Sequence, residues 1–413
     1  MERVDVWMDD GLVGEEPARV GQLRVSAVRG RMALRFRYDP RWLARGASSF
    51  PIDPELPLGE GDFFPAPGRT LHGALRDTSP DRWGRRLMDR RERDEATQER
   101  RQPRALTEWD YLLGVQDSGR LGGLRLRDPE RERWLDDRTP GIPPITRLRE
   151  LESAAYRIDA EPTAVDPAIA SLIQPGSSLG GARPKATFLD PDGSLWLAKF
   201  PSREDRLDVG AAESLLHQLA RASGVDVPPS RLEALGGRGS TFCVQRFDRR
   251  GAQRRMYWSA TTLLGKSDGD DASYLELAEA LQNHADGDTV ERDLHQLYRR
   301  VLFHVLVGNR DDHLRNHGFL RGLRGWTLAP AFDLNTDLDR LEHALAIDES
   351  DPRPLPENLR ATAEFYRLTP AAAARIEDDL RERLADWRGQ ARRIGIEGED
   401  IERLDRVILP RGI

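Results

Sequence analysis

The sequence predicts a mixed α+β chain: a small β-rich N-terminal subdomain, then a two-lobed domain whose second lobe is mostly helical. Three observations carry this. Residues 3–7 and 22–36 alternate polar and apolar side chains, the period of a half-buried strand. Short extended segments separated by Gly- and Pro-rich turns then recur as far as Phe247. From about residue 274 onward the apolar residues fall at helical spacing instead. A stranded first half and a helical second half outline two lobes with a cleft.

The elements follow in chain order. Gly and Pro punctuate residues 54–68, and Pro80 and Gly84 frame a turn from which a helix starts at Arg85. Thirteen of the twenty residues from 85 to 104 are charged. This reads first as a solvated helix laced with i,i+4 pairs, and second as a nucleic-acid or partner surface. A further helix signal begins at Thr107, and the four prolines between 129 and 144 read as a surface crossing. A strand or helix is expected around 165–174, then a glycine-rich turn. Leu195–Phe200 is a strand entered through the Pro191-Asp192-Gly193 turn. Asp208–Ser223 reads as a helix stopped by Gly224, and Phe242–Phe247 as a strand. Residues 293–307 form an apolar-striped helix ending at Gly308, followed by a hairpin over His317–Leu320 and Trp326–Leu328. Thr369-Pro370 is a cap and first-turn proline, with Ile376, Leu380, Leu384 and Trp387 in one stripe behind it. The expected segments are 1–130 (β-rich, then helical), 131–248 (first lobe) and 249–413 (helical lobe).

Composition narrows the function classes. With 63 basic and 70 acidic residues the net charge is −7, which removes a broad nucleic-acid footprint. The lone Cys243 rules out a disulfide framework. No apolar run nears the length of a membrane helix and the N-terminus lacks a secretory h-region, so the expectation is a cytoplasmic protein with no membrane partner. Only three lysines, Lys185, Lys199 and Lys266, stand among sixty arginines. Each marks a position where a compact ammonium is wanted, unless it survives by chance.

The chemistry-bearing residues concentrate in two places. Asp311 and Asn316 are five apart in Gly308-Asn-Arg-Asp-Asp-His-Leu-Arg-Asn316, and Asp333 follows the hairpin. That spacing suits a carboxylate that orients an attacking hydroxyl, beside an amide and a second carboxylate that hold Mg²⁺ against phosphate oxygens. Upstream, Gly176, Gly180 and Gly181 lie in a polar turn, Lys199 on the next strand and Glu213 on the next helix. A strand lysine paired with a helix glutamate is how a kinase fold positions ATP phosphates. Singly, each residue has an ordinary structural reading: a cap, a turn, an edge-strand lysine, an exposed helix residue. In this order they are hard to obtain by accident.

Together these residues resemble the HipA family of serine/threonine kinases, toxin components of type II toxin–antitoxin systems. The resembling motifs are ALRDTSPDRWGRRLMDR, GSSLGGARPKA, WLAKFP, AESLLHQLARASGVDVP, VQRFDR, GNRDDHLRNHGF and LAPAFDL, spread over residues 5–350. The resemblance implies a protein-kinase-like two-lobed fold using ATP and Mg²⁺. It implies Asp311 as catalytic base, Asn316 and Asp333 as magnesium ligands, and Lys199 as the ATP-phosphate lysine with Glu213 as partner. His313 would organise the catalytic loop. Gly180, Gly181, Ala182 and Lys185 would line the phosphate loop, and Gln245, Arg246 and Phe247 the adenine strand, where the family commonly has Glu in place of Gln245. Ser178, with Ser177 beside it, stands in register with an inhibitory autophosphorylation serine. Arg315 departs from the family's usual Lys, and a planar fork does not replace an ammonium at close range. Residues 335–345 would take the activation-segment place.

The resemblance further implies partners: a small helix-turn-helix antitoxin of the HipB type, operator DNA reached only through it, and a protein substrate such as glutamyl- or another aminoacyl-tRNA synthetase. Three rivals stand beside this reading. A metal hydrolase built from Asp311, His313, His317 and Asp333 leaves Asn316 without a purpose and lacks H-E-x-x-H. A small-molecule phosphotransferase would use the same ATP residues. A catalytically weak, antitoxin-binding corepressor would not need them all.

Overall fold

The alternation near the N-terminus folds as an antiparallel sheet in order β3-β2-β1-β4, with β1 at Arg3–Met8, β2 at Ala18–Val28, β3 at Arg31–Tyr38 and β4 at Leu124–Arg127. The computed structural model describes residues 1–28, 31–137, 141–160, 181–236 and 239–409. Val4, Val6, Met8, Leu23, Leu34, Phe36, Leu124 and Leu126 are buried on one face, as a two-residue period requires. Gly21 is demanded by packing: a Cβ there would stand 2.3 Å from the Arg37 carbonyl and 2.6 Å from the Phe36 ring.

The chain forms two compact units, Met1–Ala198 with Asp248–Gly265, and Lys199–Phe247 with Lys266–Ile413. In the first, helix α1 (Arg82–Gln98) starts at Asp81, whose side chain accepts from Gly84 N. Its charged sequence is less solvated than expected, because Arg90, Glu92 and Asp94 are buried along with Trp83, Leu87 and Met88. Glu92 owes this to partners beyond the helix, the Arg101 guanidinium and Arg104 N at 3.0 Å. Helix α2 (Glu108–Leu113) opens with a capping box from Thr107 and Asp110, and α3 spans Leu148–Ala160.

Residues 248–265 belong to this first unit through buried and half-buried carboxylates. Asp77 accepts from Ser259 N and Oγ at 2.7 Å each and from Thr262 Oγ1 at 2.8 Å. Asp10 accepts from Met256 N at 2.6 Å, and Asp248 accepts from Gly122 N at 2.8 Å. Strands β5 (Lys185–Leu189) and β6 (Leu195–Lys199) flank a turn in which Gly193 takes φ +81°.

The second unit begins at Lys199. Helix α4 (Val209–Ala222) is capped by Asp208, which also accepts from Ser240 N at 3.1 Å. Strands β7 (Ser230–Glu233) and β8 (Thr241–Gln245) pair antiparallel, Ser230 opposite Val244. Helices α5 (Tyr274–His284) and α6 (Val290–Val307) follow, then the hairpin of β9 (Gly318–Arg321) and β10 (Trp326–Leu328), and helices α7 (Pro370–Leu384) and α8 (Trp387–Arg393). Thirteen of the eighteen residues of α6 are buried, which makes it the axis of this unit's core. No helix among the described residues is long and apolar enough to cross a membrane.

Candidate functional site

Lys199 sits at the end of β6, Glu213 in the second turn of α4, and Asp333 just beyond β10. The fold brings the three together. Lys199 Nζ donates to Glu213 Oε1 and, at 2.6 Å, to Asp333 Oδ1. The Lys199 and Glu213 side chains are 7% and 2% exposed while that of Asp333 is 24% exposed, so the pair is walled in on one side and open on the Asp333 side. Burial alone would lower the Lys199 pKa, but the Asp333 and Glu213 carboxylates outweigh it and hold the ammonium raised. Asp333 has φ +58°, a left-handed conformation that Asp tolerates better than most residues because its short side chain can bond locally. Asn335 Nδ2 donates to its Oδ1 at 3.3 Å.

Helix α6 ends in Gly308 at φ +69°, and the chain turns into the loop bearing Asp311, His313 and Asn316. Asp311 is exposed and Asn316 buried. Burial raises the Asp311 pKa, Arg340 and His313 lower it, and the Asp333 and Asp337 carboxylates raise it further; the net direction is upward. Asn316 Nδ2 donates to the Asp311 carbonyl at 3.4 Å, whereas Asn316 Oδ1 is buried with no hydrogen-bond partner. An orphaned amide oxygen of this kind is unfavourable by about 1–3 kcal/mol unless something engages it. A hard cation is a fitting occupant. Asn316 Oδ1 and the Asp333 carboxylate are oxygen donors of the type Mg²⁺ takes, with phosphate and water completing its shell. Among the described residues no group of three or more His, Cys, Asp or Glu is placed to hold an ion. His313 Nδ1 is likewise buried without a partner.

Gln245 closes β8, its N–H donating to the Pro229 carbonyl at 2.9 Å, and the Phe247 ring lies 5.3 Å from that of Phe332, next to Asp333. Lys185 belongs to the first unit, where its ammonium pairs with Asp81 at 2.9 Å and its carbonyl accepts from Trp83 Nε1 at 2.9 Å. Gly181, with φ +46°, and Ala182 are in that unit too. Ser177, Ser178 and Gly180, and the element expected at 165–174, lie outside the described residues. Arg315 makes a two-pronged pair with Asp268, Nε to Oδ1 at 2.5 Å and Nη2 to Oδ2 at 2.6 Å.

Two residues escaped the sequence reading. Asp312 is buried, and its Oδ2 faces Tyr274 OH at 2.7 Å, His304 Nδ1 at 2.8 Å and His317 Nε2 at 2.8 Å. Although burial opposes it, the histidines hold its carboxyl well below the usual carboxylate range. This anchor fixes the loop between Asp311 and Asn316 to α5, α6 and the start of β9. The only signal in the sequence was the Asp-Asp pair itself, where neighbouring carboxylates must point different ways. The second is Arg340, 2.8 Å from Asp311; it lies in the stretch 335–345 given the activation-segment place, but one arginine among sixty gave no signal of its own.

Comparison with known proteins follows this geometry. Residues 177–388 match the HipA-like C-terminal domain and residues 4–106 the HipA N-terminal domain. A Haemophilus influenzae protein to which kinase activity is ascribed is 26% identical over 183 residues, covering 39% of this chain and 52% of that protein. One of Sinorhizobium fredii, similarly described, is 27% identical over 165 residues, covering 36% and 39%. The matched stretches thus span about half or less of these relatives. Among solved structures, the Shewanella oneidensis toxin–antitoxin system of HipA, HipB and operator DNA contains a similar chain. The TM-score is 0.66 at 17% identity, covering 97% of this chain and 94% of that one. At that identity the likeness is one of fold: a β-rich N-terminal subdomain and a largely helical C-terminal region.

Proposed function

The chain belongs to the HipA family, and from that premise we propose that it is an ATP-dependent serine/threonine protein kinase of the HipA toxin type. The observation that carries the reading is the buried Lys199 ammonium held between Glu213 and Asp333, within the same unit as the Asp311–Asn316 loop. The acceptor hydroxyl oxygen forms a bond to the γ-phosphorus, the bridging bond to the β-phosphate breaks, and ADP leaves. Asp311 orients that hydroxyl and takes its proton. Lys199, kept charged and immobile by its two carboxylates, places a cation against the triphosphate at no reorganisation cost. Asn316 Oδ1 and Asp333 would hold Mg²⁺, which when bound neutralises phosphate oxygens. Gln245 and Phe247 would line the adenine side, and Gly180, Gly181, Ala182 and Lys185 the phosphate side. His313 would order the catalytic loop.

The family places such a kinase with a small helix-turn-helix antitoxin of the HipB type, and the Shewanella complex contains HipB and operator DNA. We infer the same partners here, with DNA reached through the antitoxin, and an aminoacyl-tRNA synthetase as the protein substrate. Phosphorylation of Ser178, or of Ser177, would add nearly two negative charges to the phosphate loop and eject it from a triphosphate site. The test is to incubate phosphatase-treated protein and its Asp311→Asn variant with MgATP and map phosphate by mass spectrometry. Phosphate on Ser177 or Ser178 in the unmodified protein alone is the expected result. Its absence, with no ATP turnover in folded protein that binds nucleotide, would remove the self-inhibition and leave turnover to be sought with the true acceptor.

A further inference from the structure

Asp311 is met by a second segment of the same unit. Arg340 Nη2 lies 2.8 Å from Asp311 Oδ1, with both side chains about half exposed. An exposed ion pair is ordinarily worth little, because two long side chains must be held in one geometry. Here the backbone bearing Arg340 is tied down. Asp337 N donates to the Gly308 carbonyl and Ala344 N to the Arg310 carbonyl, each at 2.9 Å, so both ends of the segment are fastened to the loop bearing Asp311. Between those ends, Asp337 Oδ1 accepts from Asp339 N at 2.9 Å and Arg340 N at 2.8 Å, and the Arg310 guanidinium donates to the Arg340 carbonyl. Asp337 Oδ2 stands 3.5 Å from Arg340 Nε. The guanidinium is therefore delivered to one oxygen of Asp311 by a fastened turn.

We propose that Arg340 is a positioning residue of the transfer site, holding the Asp311 carboxylate through Oδ1 so that Oδ2 is presented to the acceptor hydroxyl. This rests on the reading of Asp311 as the residue that orients the acceptor. A carboxylate free to rotate about its side-chain bonds presents an oxygen only part of the time, and small losses of alignment are amplified in rate. Arg340 also sets a positive charge beside Asp311 against the Asp333 and Asp337 carboxylates.

The experiment compares unmodified protein with Arg340→Ala, Arg340→Lys and Asp311→Asn, measuring ADP release and self-phosphorylation while MgATP is varied. Arg340→Ala is expected to lower kcat roughly 10- to 100-fold while KM for MgATP stays within about twofold, the signature of an interaction that serves transfer rather than nucleotide binding. Arg340→Lys should recover part of the loss. Methylguanidinium in solution should restore part of the rate of Arg340→Ala and none to Asp311→Asn. A rate for Arg340→Ala equal to that of unmodified protein overturns the proposal. So does a faster one, which would make Arg340 a block, and so does a loss that neither lysine nor methylguanidinium repairs. In all three cases the contrast between unmodified protein and Asp311→Asn persists. Should that contrast be missing, the Asp311 reading itself fails and takes the proposal with it.

Discussion

At the scale of single residues, the buried charges decide what substitutions would do. Lys199 is enclosed with Glu213, so Lys199→Met removes an ammonium and strands a buried carboxylate, a change typically destabilising by about 3–5 kcal/mol. Pairing it with Glu213→Gln should recover most of that stability while activity stays lost. Urea unfolding beside an ATP-turnover assay would separate the two effects, and an equally unstable double variant would contradict the burial argument. Asp312 supports the neighbouring loop differently, by giving three buried donors one shared acceptor. Asp312→Ala should leave Tyr274, His304 and His317 without it and lower the unfolding midpoint by the equivalent of about 3–5 kcal/mol. That cost was not legible in the sequence. Asp311 and Asp312 have the same local surroundings along the chain, and only the position of α6 and β9 decides which carboxylate turns inward.

At the scale of elements, local signals translated well because they describe local physics. Asp208 and Gly224 bound α4, Thr369-Pro370 opens α7, and the turn before β6 has its glycine at positive φ. The end of α6 combines a local and a distant requirement. Gly308 takes φ +69°, and a Cβ there would stand 2.8 Å from Val407 Cβ. The first demand could be read from the chain, whereas contact with a segment about a hundred residues later could not. Gly308→Ala should therefore exceed the about 1–2 kcal/mol of left-handed strain alone and disturb the loop carrying Asp311. Thermal unfolding would show the first effect and ATP turnover the second; a shift within left-handed strain alone would mean that Val407 gives way. Helix α1 shows the opposite limit: its charges suggested a solvated surface, but packing buries three of them, Glu92 against partners outside the helix.

At the scale of the whole molecule, the chain enters its second compact unit at Lys199, leaves it at Asp248 and returns at Lys266. The buried histidines of this second unit give it a pH dependence. Burial, with Lys199 and Arg221 nearby, pushes His217 down to about 3, and burial, aided by His304, pushes His343 down to about 3. Between the ordinary value of 6.5 and about 3 the unfolded chain binds protons that the folded one does not. Stability therefore rises with pH in that window and is lost as the pH falls through it, by up to about 1.4 kcal/mol per pH unit for each histidine. Urea midpoints at about pH 7 and about pH 5 should show this slope, and His217→Leu should flatten it. An unchanged slope would mean that His217 takes up its proton without unfolding.

The sequence by itself determined the α+β class, the order of strands and helices, and the two stretches in which the chemistry-bearing residues lie. Periodicity, caps and turn residues act over a few positions, and the motif residues are read in their order along the chain. The tertiary structure alone decided which partners those residues have. It set Lys199 between Glu213 and Asp333, turned Asp312 inward beside an outward Asp311, placed Lys185 against Asp81, returned residues 248–265 to the first unit and brought Arg340 to Asp311. The two pairings of Lys199 alone join side chains 14 and 134 residues apart. At those separations the partner is chosen by how whole elements pack, which no short window of sequence contains.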